Sequence, residues 1–184
     1  LPAAREIEDV QTYRPALTTA AWIALARGRR DEARDLLDEL ETDLRDATFD
    51  RTYGMFEGAE LARMLGDADR AQRLAEIDPA FADGAPAARG ILASSRGEAL
   101  EAGGDHASAL KCYTDAESRW QVLGDVFHRA MALLGAARCL AALGRAGEAG
   151  SPAREAQGIF EGLRARSLAA EAAALVPDAS SLSS

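Results

Sequence analysis

The chain of 184 residues is 48% hydrophobic and 28% charged, which is enough for one compact domain or for four to five stacked helix pairs. Its formal net charge is −9 and its one basic run is Arg27 to Arg30, so we expect no nucleic-acid partner and no anionic membrane partner. No apolar run approaches the roughly 20 residues that span a bilayer. The chain starts without an initiator Met or a signal-peptide layout, and we interpret it as a segment of a longer polypeptide.

Alanine and arginine are unusually frequent, whereas Lys111 is the only lysine. Both frequent residue types are strong helix formers, and their usage is typical of bacterial genes of high GC content. Cys112 and Cys139 fit no zinc or redox spacing, so we expect two reduced cysteines in a cytoplasmic protein. No metal and no cofactor are expected.

Four similar stretches of sequence recur along the chain, each with a glycine followed five positions later by alanine. The glycines are Gly28, Gly66, Gly104 and Gly144, in steps of 38, 38 and 40 residues. Apolar residues at i, i+3, i+4 and i+7 flank each glycine, which is typical of amphipathic helices. A glycine after such a run supplies the left-handed conformation that ends a helix, and acidic residues near the turn favour the start of the next. The sequence therefore predicts an all-α chain of helix pairs.

In chain order, the predicted units cover about residues 5–45, 49–77, 87–123 and 125–163, followed by a capping helix at 165–176 and a flexible tail at 177–184. Asp78 to Pro86 interrupts the pattern with prolines and a glycine, which predicts either a long loop or a hinge between two halves. Gly147 to Pro152 is expected to delay or distort the last unit's second helix, because proline is tolerated only in a first turn.

The third unit carries the clearest motif. Gly104, Ala109, Tyr113 and Ala116 follow the pattern Gly-x(4)-Ala-x(3)-aromatic-x(2)-Ala, with Gly97 at the small-residue position of the preceding helix. This pattern resembles the second-helix signature of tetratricopeptide repeats, although the period exceeds the usual length of about 34. The resemblance implies a divergent tetratricopeptide-like (TPR-like) α-solenoid of about four antiparallel helix pairs plus a C-terminal capping helix.

A narrower resemblance covers roughly residues 98 to 175. This part of the chain is similar to the C-terminal helical-repeat regions of bacterial multidomain nucleotide cyclases and of ATPase-containing transcriptional regulators. The resemblance implies a role in signal transduction.

The residues suited to catalysis form no recognisable constellation. His106 lies beside a predicted helix start and His128 lies in the next predicted helix, and both are interpreted as surface or groove residues. A metal site built from His106, Cys112 and Cys139 lacks a fourth ligand. Gly103-Gly104-Asp105 is followed by no Lys-Ser/Thr pair, so it is a turn and not a phosphate loop. We therefore predict that the chain is not an enzyme.

The candidate binding surface follows from the resemblance, since the first helix of each tetratricopeptide pair lines a concave groove. Aromatic residues at one end and a ladder of charges further along would suit an extended peptide or a partner helix. The alternative is that the aromatic and aliphatic members only pack between helices. The residues of this chain at the positions that line the groove in tetratricopeptide repeats are Trp22, Tyr53, Phe56, Glu60, Arg63, Ile91, Ser94, Glu98, Glu101 and Arg138.

Three functions are compatible with these patterns. The first is a non-catalytic protein–protein interaction or regulatory repeat domain of a larger bacterial signalling protein, whose partner could be another domain of the same protein. The second is an effector-sensing domain that binds a small ligand in its groove and relays binding to an attached ATPase or cyclase. The third is a structural stack that forms a homodimer. A buried pocket at Glu98, Glu101 and Arg138 would favour the sensor. An open apolar groove at Tyr53 and Phe56 would favour peptide binding, and a large self-complementary patch would favour the dimer.

Overall fold

The computed structural model describes residues 10–46, 52–76 and 86–177. This part of the chain consists of helices and turns and contains no strand, which confirms the all-α prediction. The helices are α1 Val10–Ala26, α2 Arg30–Asp46, α3 Thr52–Leu65, α4 Ala68–Ala75, α5 Pro86–Ala102, α6 His106–Leu123, α7 Val126–Ala142, α8 Ala146–Gly162 and α9 Arg166–Ala174. None of them combines the length and the apolar character needed to cross a membrane.

Left-handed residues end the helices at the tight turns. The four repeat glycines all have positive φ, between 72° and 83°, as their spacing predicts. Gly124 and Arg164 adopt the same conformation at two further turns, with φ of 72° and 59°. At each of these turns the next residue donates its N–H to the carbonyl five positions earlier, as from Asp105 to Leu100 at 2.9 Å. The chain therefore reverses within about three residues, so that consecutive helices lie antiparallel.

Aspartates begin several helices, as the acidic residues near the turns predict. The carboxylates of Asp67, Asp105 and Asp125 each accept a backbone N–H three residues later, at 3.0 Å. This contact satisfies one of the free donors at a helix start. At Arg145 and Ala165, the residues before α8 and α9, the side chain makes no such bond.

The helices pack in chain order, each against the next one along the chain. Odd-numbered helices also contact one another, since α1 packs against α3, α3 packs against α5, and α5 packs against α7. One row of helices therefore runs along the molecule, and residues that project from this row meet across helices distant in sequence. This row carries all ten predicted groove residues.

Two large aromatic rings of α6 require glycines on the neighbouring helices. The ring of Tyr113 lies between Gly97 of α5 and Gly135 of α7, where an added Cβ would stand 2.8 Å and 2.6 Å from ring atoms. The ring of Trp120 lies against Gly90 in the same way, at 2.9 Å. The small residue predicted at Gly97 thus has a direct steric cause, and Tyr113 joins α5 to α7.

The prediction for Pro152 is wrong. Helix α8 begins at Ala146 and continues through Pro152 to Gly162 without delay. An interior proline costs about 3 kcal/mol, but α8 buries Ala149, Ala153 and Ala156 completely, and this packing holds the helix together. Helix α4 has only eight residues and ends at Ala75, shortly before the predicted interruption at Asp78 to Pro86. The remaining interruption at 77–85 and the expected tail beyond residue 177 lie outside the described residues.

Candidate functional site

Five of the ten predicted groove residues come together in one charged cluster on the odd-numbered helices. We call Glu60, Arg63, Glu98, Glu101 and Arg138 the charged network. Glu60 and Arg63 share one face of α3, and Glu98 and Glu101 share one face of α5, because residues three apart are neighbours on a helix. Arg138 reaches the same space from α7.

Paired ion contacts connect the network. Arg138 binds Glu101 through two parallel hydrogen bonds, from Nε to Oε1 at 2.7 Å and from Nη2 to Oε2 at 2.8 Å. Arg63 donates to Glu98 and lies 3.7 Å from Glu101. Tyr113 donates its Oη to Glu101 Oε2 at 2.7 Å, and Arg138 Nη1 donates to Glu171 of α9 at 3.2 Å. The two guanidinium groups therefore tie α3, α5, α7 and α9 together.

The network is shielded from solvent. The side chains of Glu98 and Glu101 are 5% and 10% exposed, and those of Arg63 and Arg138 are 15% exposed. Burial alone would raise the pKa of Glu101, but the hydrogen bonds and charge of Arg138, with the charge of Arg63, hold it below its usual value. Removing one partner of such a buried pair costs about 3–5 kcal/mol, because the other charge is left without compensation.

Glu60 differs from the other carboxylates of the network. It is buried, and its Oε1 has no hydrogen-bond partner among the residues that the structure describes. Burial, followed by the negative charge of Glu98, raises the pKa of Glu60 to about 8. Protonation of Glu60 leaves two carboxylates, Glu98 and Glu101, facing the two guanidinium groups of Arg63 and Arg138, so a neutral Glu60 balances the buried charge.

The other predicted groove residues occupy different surroundings. Phe56 and Ile91 are buried with Trp120 between helices, and Ser94 Oγ accepts a hydrogen bond from Trp120 Nε1 at 3.1 Å. Trp22 is half-buried against the core of the first helices. Tyr53 lies in α3, but its side chain is outside the described part of the chain. Phe56 therefore offers little exposed surface to a peptide. Glu98 and Arg138 already form ion pairs within the charged network.

Tyr113 and Glu171 form hydrogen bonds with the charged network but were not among the predicted site residues. Tyr113 carried a usable signal, since it occupies the aromatic position of the repeat motif. Glu171 carried none, because its contact with Arg138 depends on how α9 packs against the rest of the row.

A second surface feature lies at the turns that end α6 and α8. We call its five exposed apolar side chains the turn patch: Val122, Leu123, Val126, Phe127 and Leu163. Val122 is 88% exposed, and each of the others is 40–52% exposed. The ring of Phe127 lies edge-on to that of Phe160, with centroids 6.3 Å apart, so the start of α7 and the end of α8 meet at the same end of the molecule. Sequence reasoning missed this patch, although two apolar pairs around Gly124-Asp125 are unusual for a surface turn.

A search of the described residues for three or more His, Cys, Asp or Glu side chains arranged to hold a metal ion finds no such group. Comparison of the chain with models of known protein families finds no match, and comparison with curated proteins finds none either.

Proposed function

We propose that this chain is a TPR-like α-solenoid, with about four antiparallel helix pairs and a terminal cap, that acts as a non-catalytic protein-binding module. The contacts between second-neighbour helices support this arrangement, as do the left-handed glycines that recur every 38 to 40 residues. The packing of Tyr113 against Gly97 supports it further, because the motif places a large residue at position 113 and a small one at position 97.

The turn patch is the observation that carries the binding role. Large apolar side chains grouped on a surface mark sites of protein contact more often than scattered ones do. Aromatic and aliphatic residues at such a site can act as anchors in a partner's pocket. The charged network is a weaker candidate for partner binding, because its arginines already bind carboxylates of the same chain. We therefore propose that the partner presents an apolar surface to the turn patch.

The resemblance of residues 98 to 175 adds a biological setting to this proposal. It favours a module within a larger bacterial signalling protein, with another domain or subunit of that protein as the partner. Cys112 and Cys139 are both free thiols, which suits the reducing cytoplasm.

Site-specific photocrosslinking tests the binding role. A benzophenone amino acid is placed at position 122 in cells that express the parent protein, and the matched control carries it at position 23. Ile23 is also apolar and is 44% exposed, but it lies on α1. We expect a discrete protein adduct or intramolecular crosslink from position 122 that disappears when Leu163→Glu is added, and none from position 23.

Two outcomes would contradict the proposal. Equal adducts from both positions would mean that the patch captures proteins without selectivity. An adduct of two copies of the chain through position 122 would make the patch a homodimer interface instead.

A further inference from the structure

An open cavity of about 440 Å³ lies in the groove between α5 and α6, and none of its lining residues belongs to the charged network or to the turn patch. Its size falls within the range of about 300–1,000 Å³ that is usual for small-molecule sites. Arg89, Arg96, Lys111 and Arg119 line it, together with a single acidic residue among the described lining residues, Asp115. The cavity is thus strongly basic, although the chain as a whole carries a net charge of −9.

Helical spacing explains why these cations converge. Arg89 and Arg96 are seven residues apart on α5, and Lys111 and Arg119 are eight apart on α6, so each pair occupies one helix face over about 10–12 Å. Because α5 and α6 are antiparallel, Arg89 lies at the same end of the groove as Arg119, and Arg96 lies at the same end as Lys111. The groove therefore has a cationic pair at each end.

At one end of the groove, no ion pair among the described residues neutralises the positive charges. Arg119 donates from Nε to Asp115 Oδ2 at 2.8 Å, so this guanidinium is partly neutralised. Arg96 and Lys111 form no ion pair or hydrogen bond within the described residues. By contrast, Arg63 and Arg138 on the odd-numbered row each bind carboxylates of the same chain. The cations at the Arg96 end of the groove are free to bind a ligand.

The groove also has an apolar floor. Leu92 and Ala93 of α5 line it between the two cationic ends, and the Cys112 thiol faces it from α6. A ligand with anionic groups and an apolar or ring-shaped body would contact both kinds of surface. An inorganic monoanion would use only part of the site.

We propose that this groove binds a small organic molecule carrying at least two anionic groups, phosphate or carboxylate. Arg96 and Lys111 hold one anionic group through charge-assisted hydrogen bonds. Arg119, oriented by Asp115, contacts the second, and Leu92 and Ala93 support the body of the molecule. This site would make the chain a receptor for a small anion, a role that does not depend on protein binding at the turn patch.

Calorimetric titration with inorganic pyrophosphate and with citrate, at matched ionic strength, measures the proposed binding. The test variant is Arg96→Gln/Lys111→Gln, and the control is Arg27→Gln/Arg166→Gln, which makes the same change in net charge on exposed residues elsewhere. We expect the test variant to lose at least tenfold in affinity and the control to keep the wild-type affinity. Preference for pyrophosphate identifies the ligand as a phosphate compound, and preference for citrate as a polycarboxylate.

Alkylation of Cys112 locates the binding event. Cys112 is half-buried in the groove wall, whereas Cys139 is fully buried, and burial raises the pKa of the Cys139 thiol to about 12. We expect iodoacetamide to modify Cys112 selectively, and saturating pyrophosphate or citrate to slow that reaction at least fivefold. Circular dichroism of the variants establishes that they remain folded.

Three outcomes would overturn the proposal. One is that neither anion binds at millimolar concentration. The second is an equal loss of affinity in the test and control variants, which would indicate attraction by overall charge only. The third is binding that leaves the alkylation rate of Cys112 unchanged, which would place the anion elsewhere.

Discussion

Helix α5 carries charged residues on two faces, and the two sets lie in opposite environments. Towards α3 and α7, Glu98 is buried, Glu101 is largely buried, and both bind the guanidinium groups of Arg63 and Arg138. Towards the open side of α6, Arg96 is exposed and forms no ion pair within the described residues. Charge on a helix of this row thus stabilises the fold where neighbouring helices neutralise it, and can serve binding where they do not.

The largest expected effect comes from removing a cation on the buried side. We expect Arg138→Met to lower the free energy of unfolding by about 3–5 kcal/mol, because it leaves Glu101 buried without its main partner. Urea denaturation at pH 7 measures the change. The matched control is Arg96→Met, which we expect to change stability by no more than about 0.5 kcal/mol. Equal losses in the two variants would show that the two sides of α5 do not differ as described.

The free energy of unfolding is expected to depend on pH through Glu60, the carboxyl group of the charged network whose pKa is raised. Glu98, Arg63, Arg138 and Glu57 act on this carboxyl, and burial dominates, so its pKa rises from 4.5 in the unfolded chain to about 8 in the folded one. Between these values the folded state holds a proton that the unfolded state has released. Stability contributed by the neutral Glu60 is therefore full below about pH 4.5 and is lost as the pH rises through about 8.

Replacing Glu60 tests this sign directly. We expect Glu60→Gln to be more stable than wild type by about 4 kcal/mol at pH 8.5, because the pKa of Glu60 rises from 4.5 to about 8 and each pKa unit corresponds to about 1.4 kcal/mol, and nearly equal to it at pH 4.5. Urea denaturation at the two pH values gives the comparison, and Glu161→Gln, an exposed carboxylate change on α8, is the control. A Glu60→Gln variant that is less stable than wild type at pH 8.5 would contradict a neutral buried carboxyl.

A smaller loss of stability is expected from a substitution beside Tyr113, whose hydroxyl donates to Glu101. The Cβ of Gly135→Ala would stand 2.6 Å from the Tyr113 ring and displace the hydroxyl that donates to Glu101. We expect a loss of about 2 kcal/mol from this overpacking. Gly158→Ala on α8 is the matched control, because its Cβ would meet nothing within 4 Å, and the exchange should stabilise the helix by up to about 1 kcal/mol. Thermal or urea unfolding in which both variants gain stability would show that the ring is not confined by Gly135.

Local features of this fold were predictable from the sequence, whereas features set by packing were not. The turns at Gly28, Gly66, Gly104 and Gly144 follow from a backbone conformation that glycine adopts at little cost, so their spacing predicts them. The turn at Arg164 was not predicted, because a non-glycine residue adopts the left-handed conformation there.

The same division holds for the candidate sites. The resemblance to tetratricopeptide repeats selected Glu60, Arg63, Glu98, Glu101 and Arg138, but it could not indicate that most of them bind one another. That outcome depends on the relative placement of α3, α5 and α7. The basic groove was missed for a related reason, since its cations are spread over two helices and form no run in the sequence.

We propose separate roles for the two charged sides of α5, and the stabilisation of each variant by pyrophosphate distinguishes these roles. A ligand that binds only the folded state raises the free energy of unfolding by about 2.7 kcal/mol at 100 times its dissociation constant. At this ligand concentration we predict the full increment for wild type and for Glu60→Gln, and an increment of about 1.4 kcal/mol or less for Arg96→Gln/Lys111→Gln, whose affinity is at least tenfold lower. A full increment in the double variant, or its disappearance in Glu60→Gln, would contradict separate roles for the two sides.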